Sequence, residues 1–148
     1  MGNSNSLQSV ECIISEIEKL IPDYTTNPAD LCISNGNVAI CVIKEDGMVS
    51  GKLFGTNKIR SRESFRVAWT KASQVWIIGF KTGEYETLVY SNKISEDDYG
   101  ISRPDMIGWE GGQPVTLKDG TRLSIGFSGF RGISDLEIVI KAIQSANL

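Results

Sequence analysis

Three glycines spaced three apart, in Gly126-Phe-Ser-Gly-Phe-Arg-Gly132, fall where an apolar strand must reverse onto a helix, and they constrain this chain more than any other feature. Glycine takes positive φ or a close backbone approach without steric cost. The run therefore predicts a strand, a tight corner and a helix in continuous sequence. The strand before the corner pairs through a turn at Lys118-Asp-Gly120, and Glu110-Gly-Gly-Gln-Pro114 leads into that pair. Ser134 and Glu137 have capping-box spacing, which predicts a helix from Asp135 to about Ala146 with Leu136, Val139, Ile140 and Ile143 on its apolar face. Backbone N–H groups converging at such a corner suit either a plain strand-to-helix joint or a ligand-binding corner.

The rest of the chain reads as one unit of similar style. Leu7, Val10, Ile13, Ile14, Ile17, Leu20 and Ile21 form the stripe of a first helix that is expected to end before Pro22. Leu31 to Ser34 and Val38 to Lys44 read as strands joined across Asn35-Gly36-Asn37, and Asp46-Gly47 turns into a third strand from Met48 to about Phe54. Phe65, Ala68, Trp69, Ala72, Val75 and Trp76 recur at helical spacing as the buried stripe of a long second helix, and Tyr85 to Ser91 suggests a short third one. Ser95 to Gly112 reads as a polar loop. The fold class expected is α+β, a five-stranded antiparallel sheet with helices on its faces. At 148 residues and 41% hydrophobic content the chain fills one core and not two. Residues 7–148 are expected to form a single domain behind a flexible N-terminus, 1–6.

Composition removes several function classes. A net charge of −3 argues against a general nucleic-acid binder. Local charge differs from the mean: Lys52, Lys58, Arg60, Arg62, Arg66, Lys71 and Lys81 face only Glu63 in their window, which reads either as a solvated helix face or as a site for a carboxylate- or phosphate-bearing ligand. Cys12, Cys32 and Cys41 are odd in number and lack paired spacing, so they read as reduced core residues. No secretory pattern and no transmembrane run is seen, and the expected location is cytoplasmic, with no membrane partner.

The chain contains no histidine. That excludes Ser-His-Asp and Cys-His nucleophile systems and histidine proton shuttles, and it makes a protein-held metal unexpected. The acid–base groups left are carboxylates, lysines, tyrosines and arginines. The constellation they allow places Lys71 as base or charge partner, Glu110 as alternative base and Arg131 as carboxylate anchor, next to an oxyanion-holding corner at Ser128. Trp109 lies in a polar loop with no periodic reason for burial and is a candidate pocket residue together with Gly111, Gly112, Ser128 and Gly129. Trp69 and Trp76 share the helical stripe and are expected in the core.

The Gly-Gly-x-Pro-Val run, the glycine-bearing hairpin, Ser124-Ile-Gly-x-Ser-Gly129 and the helix that opens on an acidic residue resemble the closing signature of the GlcG/HbpS-like family, which includes the haem-degrading-like proteins and the PduO C-terminal domain. Upstream, Glu45-Asp-Gly47, Leu53-Phe54, Ala68-Trp-Thr-Lys-Ala72 and Thr82 resemble the same family. The resemblance implies a profilin-like arrangement, self-association, and a small-ligand-binding or accessory role that includes tetrapyrroles. The missing histidine disfavours haem as cofactor and leaves Tyr85, Tyr90, Tyr99 or a cysteine as axial candidates. The alternative function is a cofactor-independent isomerase or lyase acting on a small polar or carboxylate-bearing substrate in the same pocket.

Overall fold

The structure is a computed structural model describing residues 2–101 and 108–148. Its order is α1 (Gly2–Thr25), α2 (Pro28–Ser34), β1 (Ala39–Lys44), β2 (Val49–Leu53), α3 (Lys58–Ile78), α4 (Thr82–Tyr90), a 3-10 turn (Glu96–Asp98), β3 (Gly112–Thr116), β4 (Arg122–Ser128) and α5 (Gly132–Ala146). The four strands form one antiparallel sheet in the order β2-β1-β4-β3.

The α+β class holds, but the sheet has four strands where five were expected. The missing strand is α2. Asn27 caps it by accepting from the Ala29 N–H, Pro28 sits at its first turn, and Asn35 closes it in a left-handed conformation. These are helix start and stop signals, and they outweigh a short apolar run that periodicity alone leaves ambiguous. Pro22 does not end α1, which runs on to Thr25. Beyond the proline, Tyr24 stacks on Phe130 with ring centroids 5.4 Å apart and donates to Glu137 Oε1 at 2.6 Å. Those tertiary contacts hold the last turn.

Both faces of the sheet are covered, which is why β1 is buried along its whole length. Val38, Ile40, Val42, Leu123, Ile125 and Phe127 face α1 and α5 in the main core, where they meet Val10, Ile13, Ile17, Ile138 and Val139. Ala39, Cys41 and Ile43 face α3 through Ala68 and Ala72. On that face the register sets Gly112, Gly126, Cys41 and Gly51 in one row straight across the sheet. A Cβ on Gly126 would collide with the Ala68 carbonyl and lie 2.7 Å from Ala72 N. The row is a trough in which α3 rests, backbone close to backbone.

So close a seat narrows the buried stripe of α3 to Ser61, Ser64, Ala68, Lys71, Ala72, Gln74, Val75 and Ile78. Trp69 and Trp76, expected in the core, are 48% and 45% exposed on its flanks. Cys32 is also exposed, on α2, and Cys12 is half-buried, so only Cys41 is a core cysteine. Among the described residues no helix is long and apolar enough to cross a membrane.

Candidate functional site

The glycine corner, the N-terminus of α5, α2 and the first half of α3 enclose a cavity of about 570 Å³. Its position follows from the trough: α3 crosses the end of β4 there, and the chain leaves β4 through Gly129, whose φ of +132° is open to glycine and strained for other residues. Ile33, Val67 and Phe130 give the cavity apolar walls, and Ser34, Ser64 and Ser128 supply hydroxyls. Ser34 donates to Gly129 O at 2.7 Å and Ser64 to Asn37 O at 2.6 Å. The Ser128 hydroxyl has no hydrogen-bond partner among the described residues.

Of the residues singled out from sequence, Lys71, Trp109, Glu110, Ser128, Gly129 and Arg131 all line this cavity. Gly111 and Gly112 lie behind it, and each has structural neighbours that demand a glycine. A Cβ on Gly111, whose φ is +114°, would lie 2.7 Å from Phe127 O and 3.0 Å from Lys71 Nζ, and one on Gly112 would lie 3.2 Å from Lys71 O.

Lys71 is 1% exposed. Its Nζ donates to Glu110 O at 2.7 Å, to Phe127 O at 2.8 Å and to Asp135 Oδ2 at 3.1 Å. Three acceptors match the three N–H bonds of an ammonium, so Lys71 carries its proton and offers no lone pair. It ties the segment before β3, the end of β4 and the first turn of α5 together. Burial lowers the Lys71 pKa, with Asp135 opposing. Burial also raises Asp135, to about 7, against the pull of Lys71 and of the Phe130 N–H that donates to Oδ1 at 2.9 Å. Burial thus pushes each member of the pair toward its neutral form, and their mutual attraction opposes it.

Sequence reading missed Asp135 as a site residue and missed Asp30 altogether. Asp30 is buried at the start of α2 and accepts from Arg131 N at 3.1 Å, Arg131 Nε at 3.0 Å and Ser134 Oγ at 2.9 Å. Burial alone would raise its pKa, but these bonds outweigh it and hold the carboxyl below the usual range. The expected capping box does not form. Ser134 is turned to Asp30, Glu137 to Tyr24, and α5 begins three residues earlier than expected with Arg131 as an N-cap that makes no side-chain bond. The Asp30 signal was the acidic residue after Asn-Pro, visible once that stretch is read as a helix start. Asp135 carried no signal beyond its place in a first turn.

The cavity rim carries Trp109, 70% exposed, whose carbonyl accepts from Thr82 Oγ1 at 2.6 Å. Thus the backbone is anchored, and the indole has no hydrogen-bond partner among the described residues. The remainder of the loop expected to hold Trp109, 102–107, lies outside the described residues. The tyrosines considered for haem iron are elsewhere: Tyr85, on α4, is buried in a separate cluster with Ile78 and Val89, Tyr99 packs on it, and Tyr90 is exposed. Among the described residues, the cavity lining presents no phenol, thiol or thioether, and the chain has no imidazole. The described lining therefore does not fit a haem iron, which takes its axial ligand from one of those groups.

Three solved structures superpose on the chain over nearly its whole length. They are the Klebsiella pneumoniae protein ORFY of the DUF336 type (TM-score 0.69, 16% identity, 95% of this chain and 88% of that one), the PduOC:haem complex (0.63, 16%, 90% and 91%) and HbpS (0.59, 18%, 94% and 87%). The fold is HbpS-like. The motif resemblance to the GlcG/HbpS-like family is thus supported at the level of the fold. No protein-family model and no curated protein matches the sequence. The HbpS-like fold was captured with haem in PduOC, whereas the cavity of this chain offers Lys71 and Asp135 locked to each other and serines around them.

Proposed function

We propose that this chain is a binding protein for a small ligand with an apolar body, held in the cavity between α2, α3 and the glycine corner. The cavity itself carries the reading: about 570 Å³ lies within the range of roughly 300–1,000 Å³ usual for small-molecule sites, and apolar walls with a few convergent polar groups are their usual lining. The free indole of Trp109 supplies a flat surface at the mouth. A metal-free, non-coordinated planar ligand suits this lining, and iron ligation has no support in it.

The test uses 2-naphthoate as probe. Wild type is expected to bind one molecule per chain by calorimetry, and Val67→Trp, which places an indole in the cavity from a half-buried position, is expected to abolish binding at an unchanged melting temperature. Trp109→Ala should weaken binding several-fold and leave folding intact, because the side chain is mostly exposed. Binding unaffected by Val67→Trp would overturn the reading.

One observation favours a cofactor-independent enzyme as the second reading: a carboxyl raised to about 7 sits at the cavity floor, where proton transfer near neutral pH needs such a group. Asp135 would be the proton-transfer group, with Lys71 and Arg131 holding it and the corner in place. Deuterium incorporation into small carbonyl acids in heavy water, lost in Asp135→Asn, is the expected sign; none in wild type counts against it. Self-association belongs to either reading and is supported by the exposed flank of α3 and by the edge strand β2, whose Val49 and Leu53 are half-exposed.

A further inference from the structure

We propose that the end of the cavity at α5 is a carboxylate subsite, formed by the Ser128 hydroxyl, the N–H groups that open α5 at Gly132, and the Arg60 guanidinium, so that the ligand is an apolar monocarboxylic acid. This rests on the reading of the cavity as a binding site. Three independent features belong to the lining of this one cavity. The first turn of α5 is uncapped by any side chain, and the N–H groups of Gly132 and Ile133 have no protein partner among the described residues. They carry the positive end of a 15-residue helix. Ser128 is about nine-tenths buried, lines the same cavity, and its hydroxyl makes no bond to the protein among the described residues. Arg60 donates to Ile33 O and forms no ion pair among the described residues, so its charge stays available at the rim.

The charges nearby fix the class of anion. Lys71 is matched by Asp135, Arg131 by Asp30 and Glu63 by Arg66. What remains is Arg60 against Glu110, which flanks the subsite, its Cβ lying 3.7 Å from where a Cβ on Gly132 would stand. Arg60 offsets Glu110, so the helix terminus faces a single negative charge, whereas a phosphate dianion would bring a second that nothing there offsets.

Gly132 permits an incisive substitution. It is the first residue of α5, where proline is well tolerated, and the preceding Arg131 has φ −61° and ψ 153°, the conformation a pre-proline residue prefers. Gly132→Pro therefore removes one N–H without disturbing the helix. The experiment compares 2-naphthoate with 2-naphthamide, which has the same apolar body and no charge. Wild type is expected to prefer the acid by about tenfold, in keeping with a charge-assisted hydrogen bond. Gly132→Pro, at an equal or higher melting temperature, and Ser128→Ala should each move that preference toward unity. Glu110→Gln should increase it. Equal binding of acid and amide, both lost in Val67→Trp, would overturn the subsite and leave the cavity reading standing. Binding of neither, or binding indifferent to Val67→Trp, would overturn both.

Discussion

Lys71 and Asp135 are 64 residues apart in sequence and 3.1 Å apart in space, with 1% and 3% exposure. A buried ion pair adds little net stability, but removing one member strands the other. Lys71→Met is therefore expected to cost about 3 kcal/mol or more in urea unfolding, and Lys71→Met/Asp135→Leu to recover much of it. Proton linkage gives a sign as well. With its pKa raised to about 7, Asp135 holds a proton in the native state through a window in which the unfolded chain has already released it. Its contribution to stability is complete below the ordinary carboxylate range and is lost as pH rises through about 7. Unfolding free energy measured from pH 5 to 8 should thus fall with pH, and Asp135→Asn should flatten that slope. The sequence offered Lys71 as a group of chemical interest, since a chain without histidine leaves lysines among its few acid–base groups. It could not show the partner, because Glu110 O, Phe127 O and Asp135 come from three segments that only the fold assembles.

The three glycines of the corner look alike in sequence and do different work as parts of elements. Gly126 lies in β4 beneath α3, Gly129 turns the chain at positive φ beside Val38, and Gly132 is an ordinary first helical residue where a Cβ would make only an ordinary contact with Glu110, at 3.7 Å. Gly126→Val should prevent α3 from seating and cost at least about 3 kcal/mol or abolish folding. Gly129→Val should also destabilise, through backbone strain and a Cβ only 2.9 Å from Val38 Cβ, whereas Gly132→Ala should be close to neutral. Thermal unfolding of the three variants gives the ordering; a stable Gly126→Val protein would refute the trough. Elements with long periodic stripes, α1 and α3, were legible from spacing, and so was the β3–β4 hairpin. The seven-residue α2 was not, because four apolar-rich residues fit a strand or a helix equally and only the Asn27-Pro28 start separates them.

At the scale of the molecule, α1 and α5 cover one face of the sheet fully, while α3 covers the other only along its centre. Trp69, Trp76 and Ile77 remain exposed on α3, with Trp76 donating to Glu45 O at the turn between β1 and β2. If the proposed self-association uses this flank, light scattering should give a mass above 16.2 kDa, and Trp69→Ser/Trp76→Ser should reduce it with no loss of thermal stability; a wild-type monomer would end that proposal. By itself, the sequence determined the α+β class, the strand-corner-helix ending and the loss of all histidine chemistry, since these depend on composition and on spacings within a few residues. Tertiary structure alone decided that the sheet has four strands, that two tryptophans face outward and that a lysine, two backbone carbonyls and an aspartate meet at one cavity. Those outcomes depend on how closely α3 approaches the sheet and on which distant groups must satisfy one another once water is excluded.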